Sequence, residues 1–290
     1  MSSINIQVIL QHHSKQLEAA LNIGSSSARI EVQCLLQAVL QVNRAYLLTH
    51  PEQLLSDAQQ ARFNALFERR LRGEPIAYLL GEREFYGLTF QVSPATLIPR
   101  PETELLVEQA LQRISQQGIC RVLDLGTGSS AIALSIAHAR PNAEVVGVDA
   151  STDALAVALF NAHQLGLDQV KFLHSDWFSA LGSEKFDFIV SNPPYIAIGD
   201  EHLLQGDVRF EPTVALISGA EGLEDIRHII SRAKEHLNVT GWLLLEHGYD
   251  QASQVRTLLQ QAGYAEVFSA HDLAGIERVS GGSCLPRKEF

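Results

Sequence analysis

No two of the three cysteines, Cys34, Cys120 and Cys284, stand at CxxC spacing, and their number is odd. That argues against a disulfide framework or a thiolate zinc site and fits a reducing compartment. No HExxH occurs among the eleven histidines. His12 and His13 are adjacent, so they do not share a helix face, and nothing reads as a metal centre. Low-complexity tracts are absent, and no window approaches a membrane span. The opening MSSINIQVILQHHS lacks the basic start and apolar core of a signal peptide. These gaps predict a cytoplasmic protein with no membrane partner. Positive charge is also scarce: 22 Lys and Arg face 33 Asp and Glu, a formal net charge of -11. Sequence-blind nucleic-acid binding draws most of its affinity from phosphate neutralisation, so no direct nucleic-acid partner is expected.

What is present is ordinary globular composition, 46% hydrophobic and 19% charged over 290 residues. That length suits one large domain or two modest ones. Residues 1–80 carry apolar positions near a period of 3.6. One run is ARIEVQCLLQAVLQVNRAYLLTH, closed by Pro51; another is DAQQARFNALFERRLRG, ended by Gly73. Residues 85–92 read as a short hairpin, and the prolines at 94, 99 and 101 forbid a long helix there. A linker at 81–101 follows, with the next helix starting at Glu102 or Thr103. From about residue 119, strands and helices alternate. Strands are expected at 121–125, 144–149, 170–175, 186–190, 242–246, 266–270 and 277–280. Helices are expected at 129–139, 153–165, 223–237 and 251–261. Such alternation predicts a doubly wound, mostly parallel sheet with its crevice at the carboxyl ends of the strands.

Two motifs sit at those strand ends. VLDLGTGSSAIAL joins the first strand to its helix, with Gly126 and Gly128 allowing a tight turn and close ligand approach. Asp149 ends the next strand and suits two ribose hydroxyls. Gly126-x-Gly128-x-x-Ala131 satisfies the dinucleotide fingerprint. It equally suits the nucleoside loop of S-adenosylmethionine enzymes. Asp124 favours the second cofactor, because a carboxylate there would repel a pyrophosphate and attract an ammonium. Trp177, in HSDWF at the third strand end, offers an adenine stacking face.

The second motif is SNPPYI, leaving the fourth strand. Proline alone would merely end a strand. Asn192 and the Pro193 carbonyl add two acceptors held by a stiff Pro193-Pro194 pair, and Tyr195 adds a flat ring. A planar amide or amine nitrogen is a poor nucleophile; acceptors for its N–H groups would bind it better as it pyramidalises.

These residues resemble a family. (D/N/S)PP(Y/F) marks amino-methyltransferases acting on adenine, guanine or glutamine nitrogens. Nearly the whole chain resembles the protein-(glutamine-N5) methyltransferases of bacterial peptide-chain release factors. The resemblance rests on RGEPIAYLLGEREFYGL, LIPRPETELLVE, VLDLGTGSSAIAL, SNPPYI and VRFEPTVAL with GLEDIR. LIPRPETE together with NPPY is specific; the glycine loop or NPPY alone is not. The resemblance implies a seven-stranded, doubly wound α/β methyltransferase domain at 102–290. Before it would come the hairpin linker at 81–101 and a small helical substrate-recognition domain at 1–80. It implies S-adenosylmethionine as cofactor and the glutamine of a Gly-Gly-Gln tripeptide as substrate; a monomer is the default expectation for the oligomeric state. Cofactor contacts are implied at Gly126, Thr127, Gly128, Ser129, Ser130, Asp149, Trp177 and Asn192, and substrate contacts at Asn192, Pro193, Pro194 and Tyr195. Catalysis would fall to Asn192, Pro193 and Tyr195. Ser130 replaces a usual third glycine, placing a Cβ where it would crowd the ligand. The C-terminal ERVSGGSCLPRKEF departs from the family pattern after Val279, which bears on the last strand pairing. Alternatives are an exocyclic-amine methyltransferase on DNA or RNA, a cofactor-binding protein without catalysis, and a dinucleotide oxidoreductase.

Overall fold

The computed structural model describes residues 4–284 and divides the chain into two compact units. The first unit takes residues 1–81 and 201–210; the second takes 82–200 and 211–290. Residues 285–290, the end of the atypical C-terminal stretch, lie outside the described residues.

The first unit is helical: α1 (Ile6–Leu21), α2 (Ser25–Leu40), α3 (Arg44–Thr49), α4 (Asp57–Leu71) and α5 (Ile76–Leu80). Its core joins Ile6, Leu17, Val32, Leu35, Leu36 and Phe63. The apolar run at 28–50 is two helices rather than one. Gln41 turns left-handed at φ 56 and closes α2 through its N–H to the Gln37 carbonyl. Asn43 then caps α3 by accepting from the Tyr46 N–H. A short polar side chain bonding its own backbone outcompetes helix continuation there. At the start of α4, Ser56 and Gln59 form a reciprocal capping box. Residues 201–210 join this unit through Asp207. Arg70, only 4% exposed, pairs with Glu31 at 2.7 Å and with Asp207 at 3.1 Å.

The second unit opens with an antiparallel hairpin, β1 (Glu82–Phe85) and β2 (Leu88–Gln91). Pro101–Thr103 makes a 3-10 turn, so α6 (Glu104–Arg113) begins one to two residues later than expected. There follow β3 (Cys120–Leu125), α7 (Ala131–Ala139), β4 (Ala143–Asp149), α8 (Thr152–Gln164), β5 (Lys171–His174) and β6 (Phe186–Ser191). The chain ends with α9 (Glu224–Ala233), β7 (Leu237–Glu246), α10 (Ala252–Gln261), β8 (Ala265–His271) and β9 (Glu277–Ser283). The seven-stranded sheet has the order β5-β4-β3-β6-β7-β9-β8, parallel except at β9, which pairs antiparallel with both β7 and β8. The last strand runs three residues past the expected end, because Gly281 and Gly282 keep the ladder with Leu244 and Leu243.

Alternation along each strand feeds two cores. Val122, Val190 and Leu244 face α6, α7 and the hairpin; Leu123, Ile189 and Leu243 face α9 and α10. The order reverses beside β3, which lies between β4 and β6. A crevice is expected at that switch point.

Candidate active site

The loops leaving β3, β4, β5 and β6 surround a cavity of about 510 Å³. Hydrogen bonds stitch its walls together. The Thr127 N–H donates to the Val148 carbonyl at 2.9 Å, and the Gly128 N–H to Asp149 Oδ2 at 2.8 Å. Asp149 Oδ1 accepts from the Ser151 N–H at 2.9 Å. Each Asp149 oxygen keeps a lone pair for a further donor, such as a ribose hydroxyl. Asn161, buried on α8, binds the Ser129 carbonyl and both backbone groups of Gln91. One amide thus clips the glycine loop and the hairpin to the same helix.

On the opposite wall, Ser175 Oγ donates to the Trp177 carbonyl at 2.8 Å and accepts from the Ala180 N–H at 3.0 Å. These bonds hold Trp177 left-handed, φ 47, a conformation a bulky residue adopts only under such constraint. Its ring lies against Gly126. Ser191 Oγ donates to the Leu125 carbonyl at 2.7 Å and ties the end of β6 to the end of β3. The segment beyond is held from behind, where Gln251 Nε2 donates to the Tyr195 carbonyl at 3.0 Å.

Gly126, Thr127, Gly128, Ser129, Asp149, Trp177, Asn192 and Pro194 all line this cavity. Four expectations meet a different placement. Ser130 is fully buried and is not a lining residue. It caps α7 at φ 66, so its Cβ lies beneath the loop instead of crowding the cavity, and its hydroxyl has no partner. Pro193 is buried and is not among the residues lining the cavity, and Tyr195 packs on the α9/α10 core. Burial pushes the Tyr195 hydroxyl above its ordinary range, aided by the charge of Glu246. Asp124 is the fourth. Its carboxylate accepts from Thr127 Oγ1 at 2.6 Å inside the protein and does not line the cavity. Burial lifts it to about 7, against the Thr127 hydrogen bond, and so weakens any ammonium attraction at neutral pH.

Sequence reasoning gave no role to several lining residues: Thr96, Leu97 and Pro99 before α6, Thr103 at its start, and Pro212 and Val214 after the second unit resumes. Except for Thr96, their signal lay in LIPRPETE and FEPTVAL, whose prolines mark fixed backbone without saying where it folds back.

The profile of a PrmC N-terminal domain matches residues 9–81, and that of a methyltransferase domain matches 116–263. A release factor glutamine methyltransferase of Xylella fastidiosa is 52% identical over 88% of this chain and 93% of its own. That of Salmonella typhimurium is 50% identical over 90% and 94%. The chain belongs to the release factor glutamine methyltransferase family. The fold also agrees with a T. thermophilus 16S rRNA N2 G1207 methyltransferase solved with AdoMet and guanosine. There the TM-score is 0.52 at 24% identity, over 70% of this chain and 49% of that one. In this family member the cavity's acid, glycine loop and indole suit a nucleoside cofactor. Among the described residues no helix is long and apolar enough to cross a membrane.

Proposed function

We propose that this protein transfers a methyl group from S-adenosylmethionine to the side-chain amide nitrogen of the Gly-Gly-Gln glutamine in bacterial release factors. The observation that carries the reading is Asn192 at the rim of the same cavity that Asp149 and Trp177 line, on a chain of that family. S-adenosylmethionine supplies an electrophilic methyl carbon on its sulfonium. Asp149 accepts the ribose hydroxyls, the Trp177 ring covers the adenine, and the glycine loop lets the backbone approach the amino-acid portion. Asn192 Oδ1 and the Pro193 carbonyl accept the two N–H hydrogens of the substrate amide and turn its nitrogen toward the methyl. As the N–C bond forms and the C–S bond breaks, positive charge grows on that nitrogen, and both acceptors bind it more strongly. The nitrogen then sheds one proton to solvent. Tyr195, from behind, braces the segment and does not stack on substrate.

The helical first unit serves release-factor recognition, a role supported by its match to a PrmC N-terminal domain. The protein works as a cytoplasmic monomer. Mass spectrometry of a release factor incubated with enzyme and S-adenosylmethionine is expected to show one methyl on the Gly-Gly-Gln peptide. Methylation of nucleic acid instead, with the glutamine untouched, overturns this reading. Asn192→Ala is expected to abolish turnover while S-adenosylmethionine still binds in calorimetry. Asp149→Ala is expected to weaken that binding by about 10-fold or more, since one hydrogen bond to a charged group contributes roughly 1.5–3 kcal/mol.

A further inference from the structure

The Asn192 carboxamide is nearly symmetric in shape, so its neighbours decide which end faces the cavity. Only one orientation works: oxygen toward the substrate N–H. At the other end of the amide, Nδ2 donates to Thr103 Oγ1 at 3.3 Å. A hydroxyl can play either part, because it carries one proton and two acceptor sites. The next group settles its role. The Thr103 side chain stands close enough to the Glu246 carboxylate to favour its charged form, and an ionised carboxylate only accepts. Glu246 ends β7 one residue past Leu245, the register partner of Ser191. It is 2% exposed, and its Oε2 has no partner. A buried carboxyl with an unmatched oxygen is costly, and an apolar side chain would fill the strand end more cheaply.

We propose that Thr103 and Glu246 are a positioning pair that fixes the Asn192 amide with its oxygen toward the substrate. The inference rests on the glutamine-methylating reading above. Ionised Glu246 accepts the hydrogen bond of the Thr103 hydroxyl. Thr103 is then left with lone pairs only, which accept from Asn192 Nδ2 and commit Oδ1 to the cavity. A protonated Glu246 donates to Thr103, freeing the Thr103 proton for Asn192 Oδ1. The amide then turns its NH2 toward the cavity, where it opposes the substrate's own N–H groups. Four other groups face Glu246. Arg278 and Arg100 favour its charge, although each is already paired, with Asp272 and Glu211. Glu102 opposes it, and Tyr195 is held close by. Burial dominates and raises Glu246 to about 7. The pair therefore changes state near neutrality, and turnover should fall on the acid side.

The test is steady-state methylation of an intact release factor by the full chain from about pH 6 to about pH 9, with S-adenosylmethionine affinity measured separately. Thr103→Val is expected to lower kcat roughly 5- to 150-fold, the equivalent of one lost buried hydrogen bond, with cofactor affinity unchanged. Thr103→Ser restores the hydroxyl and most of kcat. In Glu246→Gln the rise of kcat through neutrality disappears. A merely structural role for Thr103 would leave valine and serine alike and would move stability rather than kcat. Wild-type kcat in Thr103→Val, or an unchanged acid limb in Glu246→Gln, overturns the positioning pair. If the wild-type protein itself leaves every release factor unmodified, it is the functional reading that falls.

Discussion

At position 130 a fully buried serine adopts the left-handed region, φ 66, with its hydroxyl unpartnered. A non-glycine residue there costs about 1–2 kcal/mol, and an orphaned buried hydroxyl about 1–3 kcal/mol. Glycine gives back some of that gain through its greater unfolded-state entropy. Ser130→Gly is therefore expected to stabilise the protein by about 1 kcal/mol, read from the urea midpoint at constant m, with cofactor affinity unchanged. Residue types were legible at this scale; side-chain directions were not. The acid before the glycine loop was visible, but alternation along β3 turns Asp124 into the α7 side of the sheet, where Thr127 takes it up. Tyr195 likewise stands in a readable motif. What moves it off the cavity is a partner 56 residues away, Gln251, which anchors its backbone.

Among the elements, β4 and the β3–α7 loop fit together only because Gly147 has no side chain. A Cβ there would lie 2.8 Å from Thr127 Oγ1 and 3.0 Å from the Phe172 ring. Gly147→Ala is expected to destabilise the protein by about 1–3 kcal/mol, the usual range for overpacking. By displacing Thr127 it should also weaken S-adenosylmethionine binding, which calorimetry checks. Strands and helices of the second unit were readable because buried parallel strands announce themselves as apolar runs between glycine and proline turns. Their ends were less so. The helix expected from residue 129 starts at Ala131, because Ser130 sits left-handed at φ 66 as its cap. The break at Gln41 depends on one asparagine cap that the helical periodicity on either side conceals.

For the whole molecule, two buried carboxyls set a pH slope. Asp124 and Glu246 keep their protons to about 7 in the folded chain, against ordinary values of 3.8 and 4.5. The folded state thus binds more protons in that interval. The stability they contribute is full below the ordinary values and is lost as pH climbs toward 7. Denaturant unfolding at about pH 5 and about pH 8 is expected to show a steeper loss in the wild type than in Glu246→Gln. Every cavity-lining residue belongs to the second unit. Saturating cofactor should therefore add about 2.7 kcal/mol to that unit at 100 times Kd. Hydrogen exchange is expected to locate the gain in β3, β4 and β6, and not in α1–α4.

The division into units was only partly legible, since nothing in residues 201–210 advertises attachment to a helical unit that ended 120 residues earlier. The attachment shapes how the chain is made. Arg70 meets Asp207 across 137 residues of sequence. At about 5–20 residues per second, a ribosome needs roughly 7–27 s to supply that partner. Through that interval Glu31 alone neutralises a guanidinium destined for burial. The unit whose synthesis starts first therefore waits until β3 to β6 have been made before it can close, although β7 to β9 are still to come.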